Sequence, residues 1–243
     1  DNVKITGQFR TGYKDYDKAV YNSTKKKYYD GFRAEGRTRL FLSGAVNNDW
    51  TYGAMFENTQ TFDTNAEQSD TKFRRAFVTG NLGDGVKVTA GRQYFKVGAG
   101  YVADLTGDAV KVDFGKVLKG TAFYGRFDTD IAVTNGTNYD SYGLNLSYGL
   151  TKKLELRTAY YDVQDFYDRN IYTVGLGYDF DKNTNLYAEY LKASEESYGE
   201  DTGWATTLSY KGAKATKDGS WGAYVSYYDQ PSATIIDHAS EFA

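Results

Sequence analysis

The chain has 243 residues, with 29 Lys and Arg against 32 Asp and Glu, for a formal net charge of -3. That length allows one large domain or two small ones, and the slightly acidic balance argues against a nucleic-acid partner, which needs a basic surface. Cysteine is absent, which excludes disulfides, thiol catalysis and zinc–thiolate sites, and no run approaches the roughly 18 apolar residues of a membrane-spanning helix. What stands out is 24 Tyr and 14 Phe, more than a soluble domain usually carries. Aromatic rings with a polar tip suit the two lipid–water interfaces of a membrane. A single Pro suits long uninterrupted strands, since Pro removes a ladder hydrogen bond.

Taken in chain order, the periodicity predicts thirteen strands. The first spans 3–13, with Val3, Ile5, Phe9 and Tyr13 on one face and Lys4, Gln8 and Arg10 on the other. Residues 14–30 are polar and lysine-rich and are expected to form a long loop. The second strand, 31–45, is the clearest: Phe32, Ala34, Gly36, Thr38 and Leu40 alternate with Arg33, Glu35, Arg37 and Arg39. Side chains of a strand alternate faces, so this strand has one apolar face and one charged face. A turn at Asn47-Asn48-Asp49 leads to strand three, 50–60, and a polar loop follows to about residue 71. Strand four, 72–82, and strand five, 86–94, flank the turn Gly83-Asp84-Gly85, a hairpin signal. Residues 95–108 are expected to form a loop carrying Tyr101, Asp104 and Asp108.

Strands six, 109–114, and seven, 118–127, follow, then a loop to about 138. Strand eight carries Tyr142, Leu144, Leu146 and Tyr148 on one face. Strand nine, 154–162, has Glu155 and Arg157 on its polar face. Strand ten points Tyr172, Val174, Leu176, Tyr178 and Phe180 outward. Strand eleven, 184–193, precedes an acidic loop, 194–201. Strands twelve and thirteen carry Trp204, Thr206, Leu208 and Tyr210, then Trp221, Ala223, Val225 and Tyr227. The segment 231–243 is expected to be a polar loop. No leader pattern is visible, and the chain opens inside the first strand.

The connections sort by parity. Those after even strands are short, except the somewhat longer 212–219 after strand twelve, and those after odd strands are long. This is the plan of an antiparallel transmembrane β-barrel, with short turns at one end and long loops at the other. A soluble sandwich has no reason to sort its loops this way. Thirteen is odd, whereas single-chain barrels of this kind have even counts, so the expectation is a barrel domain over 1–243 that lacks C-terminal strands, 16 in the complete protein.

The run Arg74-Arg75-Ala76-Phe77-Val78-Thr79-Gly80-Asn81-Leu82-Gly83, followed by Val86-Lys87-Val88-Thr89-Ala90-Gly91-Arg92-Gln93, resembles the fourth and fifth strands of general bacterial porins. The segment from Gly36 to Asn58, with Arg37, Arg39, Ser43-Gly44 and Asn47-Asn48-Asp49-Trp50, is similar to the barrel part of OmpM-type porins of diderm Firmicutes, which join an S-layer-homology domain to a trimeric barrel. The resemblance implies a homotrimer in the outer membrane of a diderm bacterium, contact with membrane lipid and lipopolysaccharide, and cell-wall attachment through a domain absent from this chain. It also implies that loop 95–108 folds into the lumen. Arg10, Arg33, Arg37, Arg39 and Arg75 would then face Tyr101, Asp104 and Asp108 across a narrow aqueous gap, with Glu35, Glu57 and Arg157 also lining it. Arg92 falls on the lipid face by alternation but in the lumen by resemblance, which requires a bulge or bend near the strand end.

The expected function is a channel for passive diffusion of small hydrophilic solutes and ions, without cofactor or metal. The alternative is an outer-membrane tether whose barrel is mainly structural. An enzyme is the poorest fit, because His238 is the only histidine and no Gly-x-Ser-x-Gly motif exists. The acidic pairs Glu195-Glu196 and Glu200-Asp201 read as solvated loop charge.

Overall fold

The structure, a computed structural model, describes residues 3–62, 68–127, 139–164, 168–197, 199–214 and 216–238. Among these residues there is no α-helix, and every long element is a strand. The chain divides into two compact units, Asp1–Thr79 and Gly80–Ala243.

The first unit holds β1 (Lys4–Asn22), β2 (Lys27–Ala45), β3 (Trp50–Thr61) and most of β4 (Gln68–Asn81). β1 and β2 are antiparallel, with Phe9 opposite Thr38 and Arg10 opposite Arg37. β2 and β3 continue the meander, with Arg39 opposite Glu57 and Leu40 opposite Phe56. Period-two alternation therefore gathers Ile5, Phe9, Tyr13, Phe32, Leu40 and Phe56 on one face, where they lie between 43% and 68% exposed. A contiguous apolar face this open does not belong in water. It suits hydrocarbon, where a sheet turns apolar residues out and polar residues in.

The second unit holds β5 (Val86–Lys96), β6 (Ala103–Phe114), β7 (Leu118–Phe127), β8 (Tyr139–Gly149), β9 (Leu154–Gln164), β10 (Arg169–Asp179), β11 (Thr184–Ser197), β12 (Glu200–Lys211) and β13 (Gly222–Asp229). Each is antiparallel to the next. A single 3-10 turn, Ser232–Thr234, and a two-residue strand, β14 (Asp237–His238), follow. β14 pairs parallel with β6 at Ala103 and Asp104. On β10 the outward residues Tyr172, Val174, Leu176 and Tyr178 are exposed, while the inward Ile171 and Thr173 are buried. The short turns reuse one device. Asn47 accepts the amides of Asp49 and Trp50, and Asp181 accepts those of Asn183 and Thr184. A side-chain oxygen bonding its own backbone two and three residues on closes each tight reversal.

The structure departs from the periodicity reading at the loop ends. Residues 14–30 are not a long loop: β1 and β2 run on to a turn at 23–26. The loop expected over 95–108 shrinks to 97–102, and the acidic segment 194–201 largely belongs to β11 and β12. The tail after β13 is not simply a polar loop, since it packs and pairs. The loop expected over 95–108 shrinks because the β5–β6 hairpin stays paired while one of its faces packs on the sheet; for the other two strand ends the reason is shared. A strand that continues beyond the membrane has water on both faces, so its apolar alternation disappears while its ladder persists.

A cation on the outward face tests the assignment of solvents. Val174→Lys is expected to lower the unfolding free energy in lipid vesicles by about 2–4 kcal/mol, read from urea denaturation. Unchanged stability would mean that this face does not meet hydrocarbon.

Candidate functional site

Two polar features lie on the faces turned away from the exposed apolar stripes, one in each unit. In the first unit, Glu57 is almost fully buried and gathers three guanidinium groups. Arg39 donates to it at 2.6 Å and Arg74 at 3.0 Å, and the Arg37 Nε stands 4.0 Å away. Around this one carboxylate the three guanidinium groups carry a formal charge excess. Arg10 faces Arg37 in register. Glu35 lies on the same strand face as Arg37 and Arg39, and Arg75 is half-buried on β4. The side chain of Arg33 lies outside the described residues.

Arg74 is the residue that strict alternation misses. On β4, Phe73 packs against Phe56 on the apolar face with ring centroids 4.6 Å apart, and Phe77 lies over Gly53 on the other face. Between them the alternation breaks, and Arg74 reaches Glu57 on the polar side. The doubled arginine, Arg74-Arg75, was the available signal.

In the second unit the β5–β6 hairpin leaves its neighbour. β6 pairs with β7 only from Asp108 onward, whereas it stays paired with β5 as far as Asp104. Gly91, at φ 115°, marks the departure on β5. This conformation is open to glycine and strained for other residues. The hairpin's underside carries Phe95, Val97, Val102, Ala103 and Leu105, all buried. Phe95 packs on Phe123 and Phe127 of β7, with centroids 4.7 and 4.9 Å apart, and the same apolar cluster includes Tyr161, Ile171 and Leu191. The distal hairpin therefore lies down across the inward face of its own sheet.

The opposite side of the hairpin is polar. Arg92 makes a bidentate pair with Asp108 at 2.7 and 2.8 Å. Asp104 accepts from Tyr94 at 2.6 Å and pairs with Lys96 at 3.1 Å. Asp104 and Asp108 are thus strand residues of β6, not loop residues, and each is offset by a cation of the same hairpin. Arg92 keeps its alternation with Tyr94, and the bend rather than a bulge sets its surroundings. Tyr101 sits at the tip, 7% exposed. It shares a hydrogen bond with Thr207 at 2.8 Å, and its ring lies 5.9 Å from Tyr187 and 5.6 Å from Tyr228. Burial raises the Tyr101 hydroxyl above the usual phenol range.

The segment after β13 straps this hairpin down. Ile236 donates its amide to the Val102 carbonyl, and the Gln230 amide donates to the Tyr101 carbonyl at 2.8 Å. Arg169 of β10, itself buried, donates to the carbonyls of Ala233 at 2.8 Å and Ile235 at 2.7 Å. Arg169 was not legible as a site residue, because its partners are backbone atoms far along the chain. Glu189 of β11 was also missed, because a lone acid on a strand face carries no signal of its own: it is buried and accepts the Tyr187 hydroxyl. Arg157 of β9 pairs with Glu155 and lies 5.0 Å over the Tyr187 ring. Gly175 makes room for Tyr187, because a Cβ there would fall 2.2 Å from its hydroxyl oxygen.

Two substitutions test these features. Glu57→Gln leaves three guanidinium groups facing one another and is expected to cost about 1–3 kcal/mol of stability, measured by urea unfolding in detergent. Arg169→Met strips two charge-assisted hydrogen bonds from the strap. Proteolytic cleavage within 230–238 is expected to accelerate, and a cleavage rate equal to the parent's would show that Arg169 does not hold the strap.

Residues 83–198 match the Gram-negative porin family. No curated protein sequence matches the chain. Among solved structures, a variant of the Rh. blastica porin is similar over 94% of this chain and 85% of its own, with 13% identity and a TM-score of 0.58. A porin structure from the same source carrying more substitutions gives 14% identity and a TM-score of 0.59 over the same shares. A structure described as "Asymmetric conductivity of engineered proteins" gives 14% identity, the same coverage of 94% and 85%, and a TM-score of 0.59. The fold is that of a porin barrel. Fold and matched segment together place the chain in the outer membrane of a Gram-negative bacterium, as a channel protein and not an enzyme.

Proposed function

We propose that the chain forms a water-filled channel through which small hydrophilic solutes and ions diffuse passively, with a basic wall as its selective element. The observation that carries this is the convergence of Arg37, Arg39 and Arg74 on the single carboxylate of Glu57, on the face opposite the lipid-exposed stripe. Fixed charge of one sign along an aqueous path sets ion preference. The hairpin of β5 and β6, lying on the inward face of its sheet, is the narrowing element. Its acids are offset within the hairpin by Arg92 and Lys96, so the positive wall outweighs the acidic contribution, and the channel favours anions.

The outward aromatic residues contact membrane lipid and lipopolysaccharide. Homotrimerisation fits Gly7 and Thr11, small residues on the outward face of β1 that allow close wall-to-wall approach. The resemblance to OmpM-type porins adds cell-wall attachment through a separate S-layer-homology domain.

Replacing Arg37 and Arg39 together with Ser is expected to raise single-channel conductance in planar bilayers and to shift the reversal potential in a salt gradient toward cations. An unchanged reversal potential would overturn the basic-wall reading, and absence of any conductance in the parent would overturn the channel itself.

A further inference from the structure

Below the hairpin tip, within the second unit, lies an open recess of about 540 Å³, lined among others by Tyr101, Glu155, Arg157, Tyr187, Thr207 and Ser226. Three of its hydroxyl groups form a chain. Tyr101 meets Thr207 at 2.8 Å, and Thr207 meets Ser226 of β13 at 2.8 Å. The chain runs from the buried tip of the hairpin to a strand whose side chains are largely exposed. A hydroxyl gives one hydrogen bond and accepts two, so three hydroxyls joined by two bonds still have a donor and several acceptors to offer. Such a row both gives and takes, at fixed spacing.

Flat apolar surfaces border this row. Tyr228 meets Tyr101 edge-on, at an interplanar angle of 80°, and Tyr187 stacks beside it. Tyr224 and Tyr228 are 68% and 48% exposed, so their rings are open to a solute. The Arg157–Glu155 pair adds a forked donor and a carboxylate acceptor whose charges offset each other. Aromatic faces for C–H surfaces, hydroxyls for hydroxyls and a charge-balanced ion pair are complementary to a cyclic polyol. Lys152, Lys153 and Asp179 at the border of the recess add further donors and an acceptor, and a purely apolar solute fits poorly, since it would leave the hydroxyl row unpaired.

We propose that this recess is a binding subsite for cyclic polyols, of the size of a mono- or disaccharide, which holds the solute transiently during passage. The inference rests on the channel reading for its purpose but not for its test. A solute bound there obstructs ion flow while it stays, so current falls saturably with sugar concentration. Removing an aromatic contact shortens its stay.

The purified full chain is reconstituted in planar bilayers and maltose is titrated. A linear polyethylene glycol of similar hydrodynamic radius serves as the non-binding comparison. Maltose is expected to reduce the current along a saturating curve, and the glycol along a non-saturating one. Tyr228→Ala is expected to raise the half-blocking concentration by about tenfold. Ser226→Ala, at the end of the hydroxyl row and away from the hairpin contacts, is expected to raise it severalfold. Current that responds to maltose as it does to the glycol, or block that is unaltered in both variants, would overturn the subsite and leave the channel standing. If the parent carries no current, the channel reading falls, and calorimetry on the detergent-solubilised chain decides the subsite separately. Heat of maltose binding that is lost in Tyr228→Ala upholds it, and no heat in the parent overturns it.

Discussion

The long strands of the described meander serve two solvents at once. Hydrocarbon cannot satisfy a backbone amide, so each strand's polar main chain must be paired by its neighbours. The side chains then divide by period two, apolar toward lipid and polar toward water. In β2 this division sets Phe32 and Leu40 against Glu35, Arg37 and Arg39, and in β10 it sets Val174 and Leu176 against Thr173. A slip of one residue would exchange the two sets, which makes the register the constraint from which the rest follows. The same rule concentrates arginine on the inner face of the first unit, where charge is tolerated, around the buried carboxylate of Glu57.

The second unit shows what happens where the inner face is not all polar. Phe123, Phe127, Tyr161, Ile171 and Leu191 point inward near the loop end, where water would solvate them poorly. The β5–β6 hairpin covers them with Phe95, Val97, Val102 and Leu105. Burial of a side chain of that size is worth about 1.5–3 kcal/mol, enough in sum to detach the hairpin from β7 and lay it across the sheet. Gly91 supplies the backbone freedom at the bend. The strap after β13 adds directional bonds through Arg169 and Gln230. Apolar burial thus draws the hairpin in, and hydrogen bonds fix its resting place.

Packing on one side frees the other for solvent. With its apolar residues turned down, the hairpin presents Arg92, Tyr94, Lys96, Asp104 and Asp108 upward, in pairs that offset one another. Charge on this element is balanced locally. Beneath the tip, the buried Tyr101 links the hairpin to Thr207 and thence to Ser226, so the docked hairpin also shapes the polar recess beside it.

Alternation along the chain was enough to identify an all-β protein with two-faced strands, to place Arg37, Arg39 and Glu57 on a common polar face, and to set most strand positions. Each of those properties follows from local period. Strand ends were not legible, because a ladder extending into water carries no apolar rhythm, and so residues 14–30 looked like a loop. The inward turn of Arg74 depended on an irregularity of β4 that the doubled arginine only hinted at. Arg169 and the strap were invisible for a different reason. Their partners lie across the sheet or far along the chain, among them backbone carbonyls, which are alike in every residue. Only the tertiary structure could choose among them, because burial of the hairpin's apolar underside decides which of those carbonyls Arg169 meets.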